Sequence, residues 1–218
     1  MKTQDRETQL NTTPAKALQI LKNGNSRFIN NLKINRNLLQ QVNDTKEGQH
    51  PFAVILSCID SRTPSELVFD QGLGDICSVR IAGNVINEDI LGSLEFACKM
   101  AGAKIIVVLG HSKCDAIWGA CNNTRMGHFT QLLQKLKPSV ELTARQSDSM
   151  DVDAAFLDAV AENHVHLSLN YILERSAILR EMVHTGELGI VGAFYDIESG
   201  EVRFNEKDTV INEKLQQH

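Results

Sequence analysis

Three side chains of the kind that bind metals follow two apolar runs of the sequence. Cys58 comes directly after the run 52–57, and His111 and Cys114 come after the run 105–109. Zinc in proteins prefers thiolate and imidazole ligands, and a catalytic zinc has three protein ligands and one open position. If the fold brings the two runs together, this trio predicts a catalytic zinc site.

Each member of the trio alone would be a weak indication of a metal. A lone cysteine at the end of a strand is more often a small buried hydrophobe than a ligand. Here Asp60 and Arg62 lie beside the trio, and charged side chains are rarely buried without partners. In an extended segment Cys58, Asp60 and Arg62 face the same way. His111 and Cys114 share one face if a helix begins there, so all five can converge.

The elements that must position these side chains alternate in type. Both apolar runs, 52–57 and 105–109, read as strands buried on both faces. A further strand is predicted over 75–81 and a helix over 88–100. This alternation indicates an α/β fold with a mostly parallel β-sheet and helical crossovers. Such a sheet binds its ligand beyond the carboxyl ends of its strands, where the trio lies.

The two ends of the chain add different features to this sheet. Residues 151–184 read as one long helix or two, and 188–196 with 202–204 predict an antiparallel edge hairpin. Thr13 and Pro14 mark a helix start, as N-cap and first helical residue.

The segment before the first strand is rich in Asn and Gln and carries a sparse apolar stripe. We expect residues 1–50 to form an N-terminal helical arm that needs a further surface to pack against. The alternative is a loosely docked surface arm. Residues 51–218 then form the α/β zinc-binding catalytic domain, within a single domain overall.

Composition limits the partners and the compartment. The 218 residues have a net charge of −5, which offers no footprint for nucleic acid. No run reaches the roughly 18 apolar residues of a membrane span, and the polar segment 1–13 is not a secretory signal. Five cysteines without a disulfide-like pattern fit a reducing compartment. We expect a cytoplasmic protein with no nucleic-acid partner and no membrane span.

Two short motifs resemble those of the β-class carbonic anhydrases. They are Ser-Cys-Ile-Asp-Ser-Arg at 57–62 and Gly-His-Ser-Lys-Cys at 110–114. The resemblance covers roughly residues 50 to 205, with further matches at 69–75, 79–85, 162–165 and 186–196. It implies a carbonate dehydratase, a zinc lyase that reversibly hydrates carbon dioxide to bicarbonate and a proton by attack of zinc-bound hydroxide. It also implies self-association as a homodimer or a dimer of dimers, in which the N-terminal helical arm 1–50 packs on a partner subunit.

Asp60 and Arg62 have a chemical role beside such a zinc. Asp60 can accept a hydrogen bond from the O–H of the zinc-bound hydroxide and so aim an oxygen lone pair at carbon dioxide. Arg62 can hold Asp60 by a bidentate pair and keep it ionised. The resemblance implies the same roles, and it also implies a closed state in which the aspartate itself takes the fourth zinc position.

The resemblance also implies roles, or the loss of a role, at four other positions. Gln71 matches a residue that reaches across a dimer interface to substrate or bicarbonate; the alternative is a turn residue. Gly83 lies in a matched motif near the site and is predicted to bind substrate. Ile55 stands where relatives with a regulatory bicarbonate site have Trp, so that regulation is not expected. Asp115 stands where the family usually has Gly, and we interpret it as a helix cap rather than an electrostatic modulator.

The ligand set predicts how activity depends on pH. Two thiolates donate more charge to zinc than imidazoles do, so the water is less acidic than the pKa near 7 of three-histidine sites. We therefore predict activity that rises with pH. Two alternatives remain: a hydrolase of a related linear molecule such as carbon disulfide, and a catalytically silent zinc-stabilised binding protein. Asp60 and Arg62 disfavour the latter, because a structural zinc needs neither.

Overall fold

Five strands form one mixed sheet in the order β2-β1-β3-β4-β5 in the computed structural model, which describes residues 4–147 and 151–212. The bounds are as follows: β1 Ala53–Ser57, β2 Ile76–Arg80, β3 Ile105–His111, β4 Gly189–Tyr195 and β5 Val202–Val210. The pairs among β1 to β4 are parallel, whereas β5 is antiparallel to β4. The predicted mostly parallel sheet and its antiparallel edge hairpin are therefore confirmed.

Helices connect these strands and precede them. Their bounds are α1 Arg6–Leu10, α2 Pro14–Ile29, α3 Leu38–Thr45, α4 Ser65–Val68, α5 Glu88–Glu95, α6 Asp115–Cys121, α7 Gly127–Gln134, α8 Lys137–Gln146, α9 Ala154–Arg175 and α10 Ala177–His184. A 3₁₀ turn spans Ala82–Asn84, and a π-helical turn, Phe96–Met100, extends α5. Among the helices so described, none is both long and apolar enough to cross a membrane.

The two strands that carry the candidate ligands are adjacent at the centre of the sheet. β1 and β3 are parallel and in register, with Ser57 opposite Leu109. Every residue of both strands is buried, as expected for apolar runs covered on both faces. Because parallel strands end at the same edge, this pairing brings the residues after Ser57 to the end of β3.

Two apolar layers cover the sheet. One face packs against α5, α9 and α10 through residues such as Leu94, Leu169 and Leu179. The other face packs against α2 and α4, with Leu21 and Phe69 fully buried. A third apolar cluster, which contains the two candidate cysteine ligands, lies where α6, α8 and the start of α9 meet the edge of the sheet.

The N-terminal helices pack on their own chain more closely than the sequence indicates. Ala17 and Leu21 of α2 are fully buried in the sheet layer. Asn25 is also buried; its amide donates to the carbonyl oxygens of Val68 and Gly200, at 3.1 and 2.9 Å. The N-terminal helices are thus present, and contact of the 1–50 arm with a partner subunit stays a prediction, as does the boundary at residue 50.

The structure decides between two readings of one helical region and lengthens one strand. Of the alternatives for 151–184, one long helix or two, the structure has two, because the backbone of Ser176 is extended and its side chain caps α10 by accepting from Leu179 N; residue 151 and the two that follow precede α9. β5 continues beyond the predicted 202–204 to Val210. Its outer part is an edge strand of mostly exposed polar residues, which carry no alternating apolar pattern. Residues 213–218 of the predicted catalytic domain lie outside the described part.

Candidate metal centre

Cys58, His111 and Cys114 lie together at the carboxyl ends of β1 and β3. Their ligand atoms are all within 4.8 Å of one another. The three residues are only 5%, 1% and 6% exposed. The predicted convergence is therefore present as geometry, in the place where a parallel sheet binds its ligands.

The local backbone of the second motif differs from the expected helical turn. His111 is the last residue of β3, and Cys114 is the N-cap of α6. Between them Lys113 has a φ of +53°, so the chain makes a left-handed step before the helix begins. The expectation that both ligands share the first turn of a helix was wrong. Asp115 is the first helical residue rather than the N-cap, although its carboxylate suits the helix N-terminus.

The imidazole of His111 is oriented for a cation. Nδ1 lies 2.9 Å from the carbonyl oxygen of Ser112 and must donate to it. Nε2 is then the unprotonated nitrogen; it is buried and has no hydrogen-bond partner among the described residues. A buried acceptor of this kind needs a partner. A metal ion between Nε2 and the two sulfurs fits, and the backbone bond at Nδ1 is the usual second contact of a histidine ligand.

The two thiols are electrostatically coupled. A hydrogen bond from Cys114, together with backbone N–H groups, lowers the pKa of the Cys58 thiol to about 4 against the effect of burial. The same hydrogen bond to Cys58, together with burial, raises the pKa of Cys114 far above its ordinary value. One thiolate is therefore stable without a cation, and a second one requires positive charge between the sulfurs. This donor chemistry also fits a metal.

Gly83 contacts one of the candidate ligands directly. Its backbone N–H donates to Cys58 Sγ at 3.3 Å. The φ of Gly83 is +63°, and a side chain there would meet Ala116 and Leu136 at 3.1 Å. Only glycine fits this close turn without strain. Sequence reasoning placed Gly83 near the site but missed this contact, and its predicted substrate-binding role stays a prediction.

Asp60 and Arg62 form the expected ion pair beside the trio. Arg62 Nε and Nη2 donate to the two carboxylate oxygens of Asp60 at 2.9 and 2.6 Å. The backbone N–H of Arg62 also donates to Asp60, at 2.9 Å. The bonds from Arg62 lower the pKa of Asp60 to about 2. The carboxylate is thus ionised and fixed in orientation throughout the neutral range.

Two arginines connect the loops that carry the ligands. Arg62 Nη2 donates to the carbonyl oxygen of Lys113 at 3.2 Å, so it also contacts the loop before Cys114. Arg80, at the end of β2, donates to the carbonyl oxygens of Cys58 and Asp60 at 3.1 and 2.5 Å. These contacts fix the backbone after β1, and the sequence alone gave Arg80 no definite task.

Comparison with known proteins agrees with this geometry. The profile of the family described as "Carbonic anhydrase" matches residues 53–202. The chain belongs to the carbonic anhydrases. It is 36% identical to "Carbonic anhydrase 2" of Mycobacterium tuberculosis over 198 residues, which cover 87% of this chain and 92% of that protein. The carbonic anhydrase of Mycolicibacterium smegmatis is 31% identical, with 88% and 93% covered. The prediction of an enzyme of this kind is confirmed.

Solved structures assign the carbonic anhydrase to the β class. The β-carbonic anhydrase CafA of Aspergillus fumigatus superposes with a TM-score of 0.71 at 26% identity, covering 77% of this chain and 81% of that one. The β-carbonic anhydrase CcaA superposes with a TM-score of 0.70 over 89% and 99% of the two chains, and its 24% identity shows the fold alone. The resemblance found in the sequence motifs is therefore confirmed.

The side chain of Gln71 in this β-carbonic anhydrase makes a hydrogen bond within its own chain. Its side-chain amide donates to the carbonyl oxygen of Phe69 at 2.5 Å. Among the contacts of the described residues, none joins Gln71 to the three candidate ligands. The geometry of the single chain agrees with a turn residue, and contact with substrate across an interface between subunits stays a prediction.

The loop between the last two ligands is held by residues that sequence reasoning missed. Ser112 Oγ accepts from the backbone N–H of Ile197 at 3.0 Å and donates to Asp196 at 3.3 Å. The ammonium of Lys113 pairs with Glu198. The spacing of these residues in the sequence has no period that indicates contact. The one sequence feature that could have pointed to them is that Asp196 is the last residue of the matched motif 186–196.

Proposed function

We propose that the protein reversibly hydrates carbon dioxide to bicarbonate and a proton, with zinc as its metal. The observation that carries this proposal is the fixed Asp60–Arg62 pair beside the buried ligand trio. A purely structural zinc normally has four protein ligands and needs no ionised carboxylate at its side. Two thiolates and one imidazole leave a fourth position for chemistry.

Three atoms would hold the metal: Cys58 Sγ, His111 Nε2 and Cys114 Sγ. A zinc ion there would supply a hydroxide nucleophile by making a water molecule more acidic. The surrounding apolar cluster, which includes Val85, Ile117 and both cysteines, keeps bulk water away from the reacting centre. Carbon dioxide has little to hydrogen-bond, so an apolar wall suits it as a substrate.

Asp60 orients the nucleophile in this proposal. Its carboxylate would accept a hydrogen bond from the O–H of the nucleophile and so turn an oxygen lone pair towards the carbon of the substrate. Arg62 fixes that carboxylate, and a pKa of about 2 keeps it an acceptor at every physiological pH. The benefit is positional, since oriented reactants avoid much of the entropic cost of the reaction.

Assembly completes the proposal. α3 exposes Leu38, Leu39 and Val42, and exposed apolar clusters mark interaction surfaces. A β-carbonic anhydrase of Sordaria macrospora with the same fold is described as tetrameric. We propose a homodimer or dimer of dimers in which the arm 1–50 packs on the partner and Gln71 and Gly83 contact substrate.

All five cysteines are free thiols, which supports a reducing, cytoplasmic location.

The decisive experiment is stopped-flow hydration of carbon dioxide by the purified protein with its zinc content quantified. We expect near-stoichiometric zinc, and a rate near pH 8.5 that exceeds the rate near pH 7, because the thiolates make the water less acidic. Carbon disulfide is offered in a parallel assay. Full zinc without hydration at either pH contradicts the proposal. Hydrolysis of carbon disulfide in its place assigns the site to the related substrate.

A further inference from the structure

A buried histidine outside the ligand trio lies close to the metal centre. His164 of α9 is 6% exposed. Its Nδ1 is 3.0 Å from the hydroxyl of Ser139 on α8, and its Nε2 is 3.5 Å from the hydroxyl of Ser168. The proposed function does not use this imidazole, although a polar ring is seldom buried without hydrogen-bond partners.

The other partners of His164 are backbone carbonyls of the 3₁₀ turn. The carbonyl groups of Gly83 and Asn84 face the ring, and their hydrogen bonds partly oppose the burial that lowers the pKa of His164 to about 4. The ring is therefore neutral at pH 7, with one donor and one acceptor nitrogen. The neutral ring therefore has one nitrogen to donate to these carbonyls and another to accept from a serine hydroxyl.

The turn that His164 holds has an unfavourable backbone. Gly83 has a φ of +63° and Asn84 a φ of +41°. For the non-glycine residue, a left-handed conformation costs free energy and persists only where its surroundings enforce it. The same turn aims the N–H of Gly83 at Cys58 Sγ, 3.3 Å away. Whatever fixes the turn therefore fixes that N–H···S bond.

We infer that His164 is a positioning residue for the metal centre, holding the Gly83–Asn84 turn so that the Gly83 N–H stays on the sulfur of Cys58. An N–H donor on a thiolate withdraws charge from it and sets its orientation, as outer contacts of metal ligands do. His164 acts through the turn rather than by touching the metal or the substrate. This inference rests on the metal-binding role proposed above for Cys58.

Zinc affinity of the whole enzyme tests this inference. His164→Leu removes both ring nitrogens, whereas His164→Gln keeps a side-chain N–H donor and an acceptor. His166→Gln is the matched control, because His166 lies on the same helix but is half exposed and pairs with Asp208. Competition with a chelator should show zinc binding weakened about tenfold or more in His164→Leu. It should be largely restored in His164→Gln and unchanged in His166→Gln.

A spectroscopic readout separates positioning from general stability. In the cobalt-substituted proteins, the sulfur-to-cobalt charge-transfer band should move in His164→Leu and return in His164→Gln. A folded His164→Leu variant with wild-type zinc affinity and an unmoved band overturns the inference. If His164→Leu does not fold, Ser139→Ala decides, because it loosens the ring without removing it; unchanged affinity and band then overturn the inference. A wild type that binds no zinc refutes the proposed function instead.

Discussion

The carboxylate of Asp60 has almost no freedom in this site. Three hydrogen bonds from Arg62 hold its two oxygens, and its side chain is 11% exposed. Bidentate arginine–carboxylate pairs fix orientation as well as charge. The pair therefore holds the carboxylate in one orientation beside the three candidate ligands, and changes that keep its shape but remove its charge are informative.

Asp60→Asn keeps the size of the side chain but turns one acceptor oxygen into a donor. We expect hydration to fall by about 100-fold or more, because a misdirected nucleophile loses rate on that scale. Zinc content and the thermal midpoint should stay close to wild type, since Asp60 is not among the three candidate ligands. Asp89→Asn, at an exposed position of α5, is the control. An undiminished rate in Asp60→Asn removes Asp60 from the mechanism.

His164 predicts how stability depends on pH. Burial lowers its pKa to about 4 in the folded chain, against about 6.5 when unfolded. Between these values only the unfolded chain binds the proton, so stability is lost as pH falls through this window. The loss is on the order of 3 kcal/mol.

Urea unfolding of metal-free protein at pH 7 and pH 4.5 measures this effect. We expect the free energy of unfolding of wild type to fall more between these conditions than that of His164→Gln, which has no titrating ring. Equal falls in both proteins would mean that the imidazole is not buried as a neutral group.

Residue types and spacing predicted that the five candidate side chains lie together, but not the backbone contacts around them. Cys58, Asp60 and His111 could be found because their side chains are chemically distinctive. The contact of the Gly83 N–H and the left-handed backbone at Lys113 could not be found in this way. Nearly every residue has a backbone N–H donor, and the residue type of Lys113 does not indicate a positive φ.

Among the elements, the central strands were the most predictable. β1 and β3 are uninterrupted apolar runs, and such runs in this length range indicate strands covered on both faces. The helix break at Ser176 and the length of β5 were not predictable in the same way. At Ser176 a polar cap interrupts one apolar pattern, and the outer part of β5 buries little.

The contact between α2 and α4 depends on a glycine. A Cβ at Gly24 would lie 1.8 Å from the carbonyl oxygen of Phe69. Gly24→Ala therefore must push α2 away from α4, and we expect a loss of about 1–3 kcal/mol in the free energy of unfolding. Gly92→Ala is the matched control on α5, where a Cβ would meet nothing within 4 Å. There alanine should stabilise by about 0.5–1 kcal/mol.

Chemical denaturation of the two variants measures whether the free energy of unfolding falls in Gly24→Ala and rises in Gly92→Ala. A Gly24→Ala protein as stable as wild type would show that α2 does not approach α4 so closely. A Gly92→Ala protein that is destabilised would show instead that the exposed face of α5 is covered by something else.

The whole molecule presents an apolar surface on its N-terminal helices. Leu39 is 82% exposed, and Leu38 and Val42 are near it on α3. We expect light scattering after size exclusion to give the mass of two or four chains. Leu39→Glu should shift the protein to a smaller assembly, because a buried unpaired charge disfavours association.

Met126→Glu serves as the control for this surface, since Met126 is also exposed but lies before α7. Its assembly should equal that of wild type. Wild type that runs as one chain, or a Leu39→Glu variant with unchanged mass, would contradict assembly through the 1–50 arm.

The N-terminal arm is attached to its own chain by polar contacts, which the sequence pattern did not indicate. The amide of Gln9 donates to the carbonyl oxygens of Pro51 and Ala101, both at 2.7 Å. Arg27 and Arg36 converge on the buried carboxylate of Asp70. Apolar periodicity does not detect attachments made by polar side chains, so the arm seemed to bury less than it does.

The ligand atoms belong to neighbouring strands that meet only in the folded chain. A metal ion held by Cys58, His111 and Cys114 is therefore a cross-link between β1 and β3, and unfolding releases it. By mass action, each tenfold rise in free zinc above the dissociation constant stabilises the fold by about 1.4 kcal/mol. Metal supply would then set how much folded protein a cell retains, and zinc scarcity would deplete the enzyme itself.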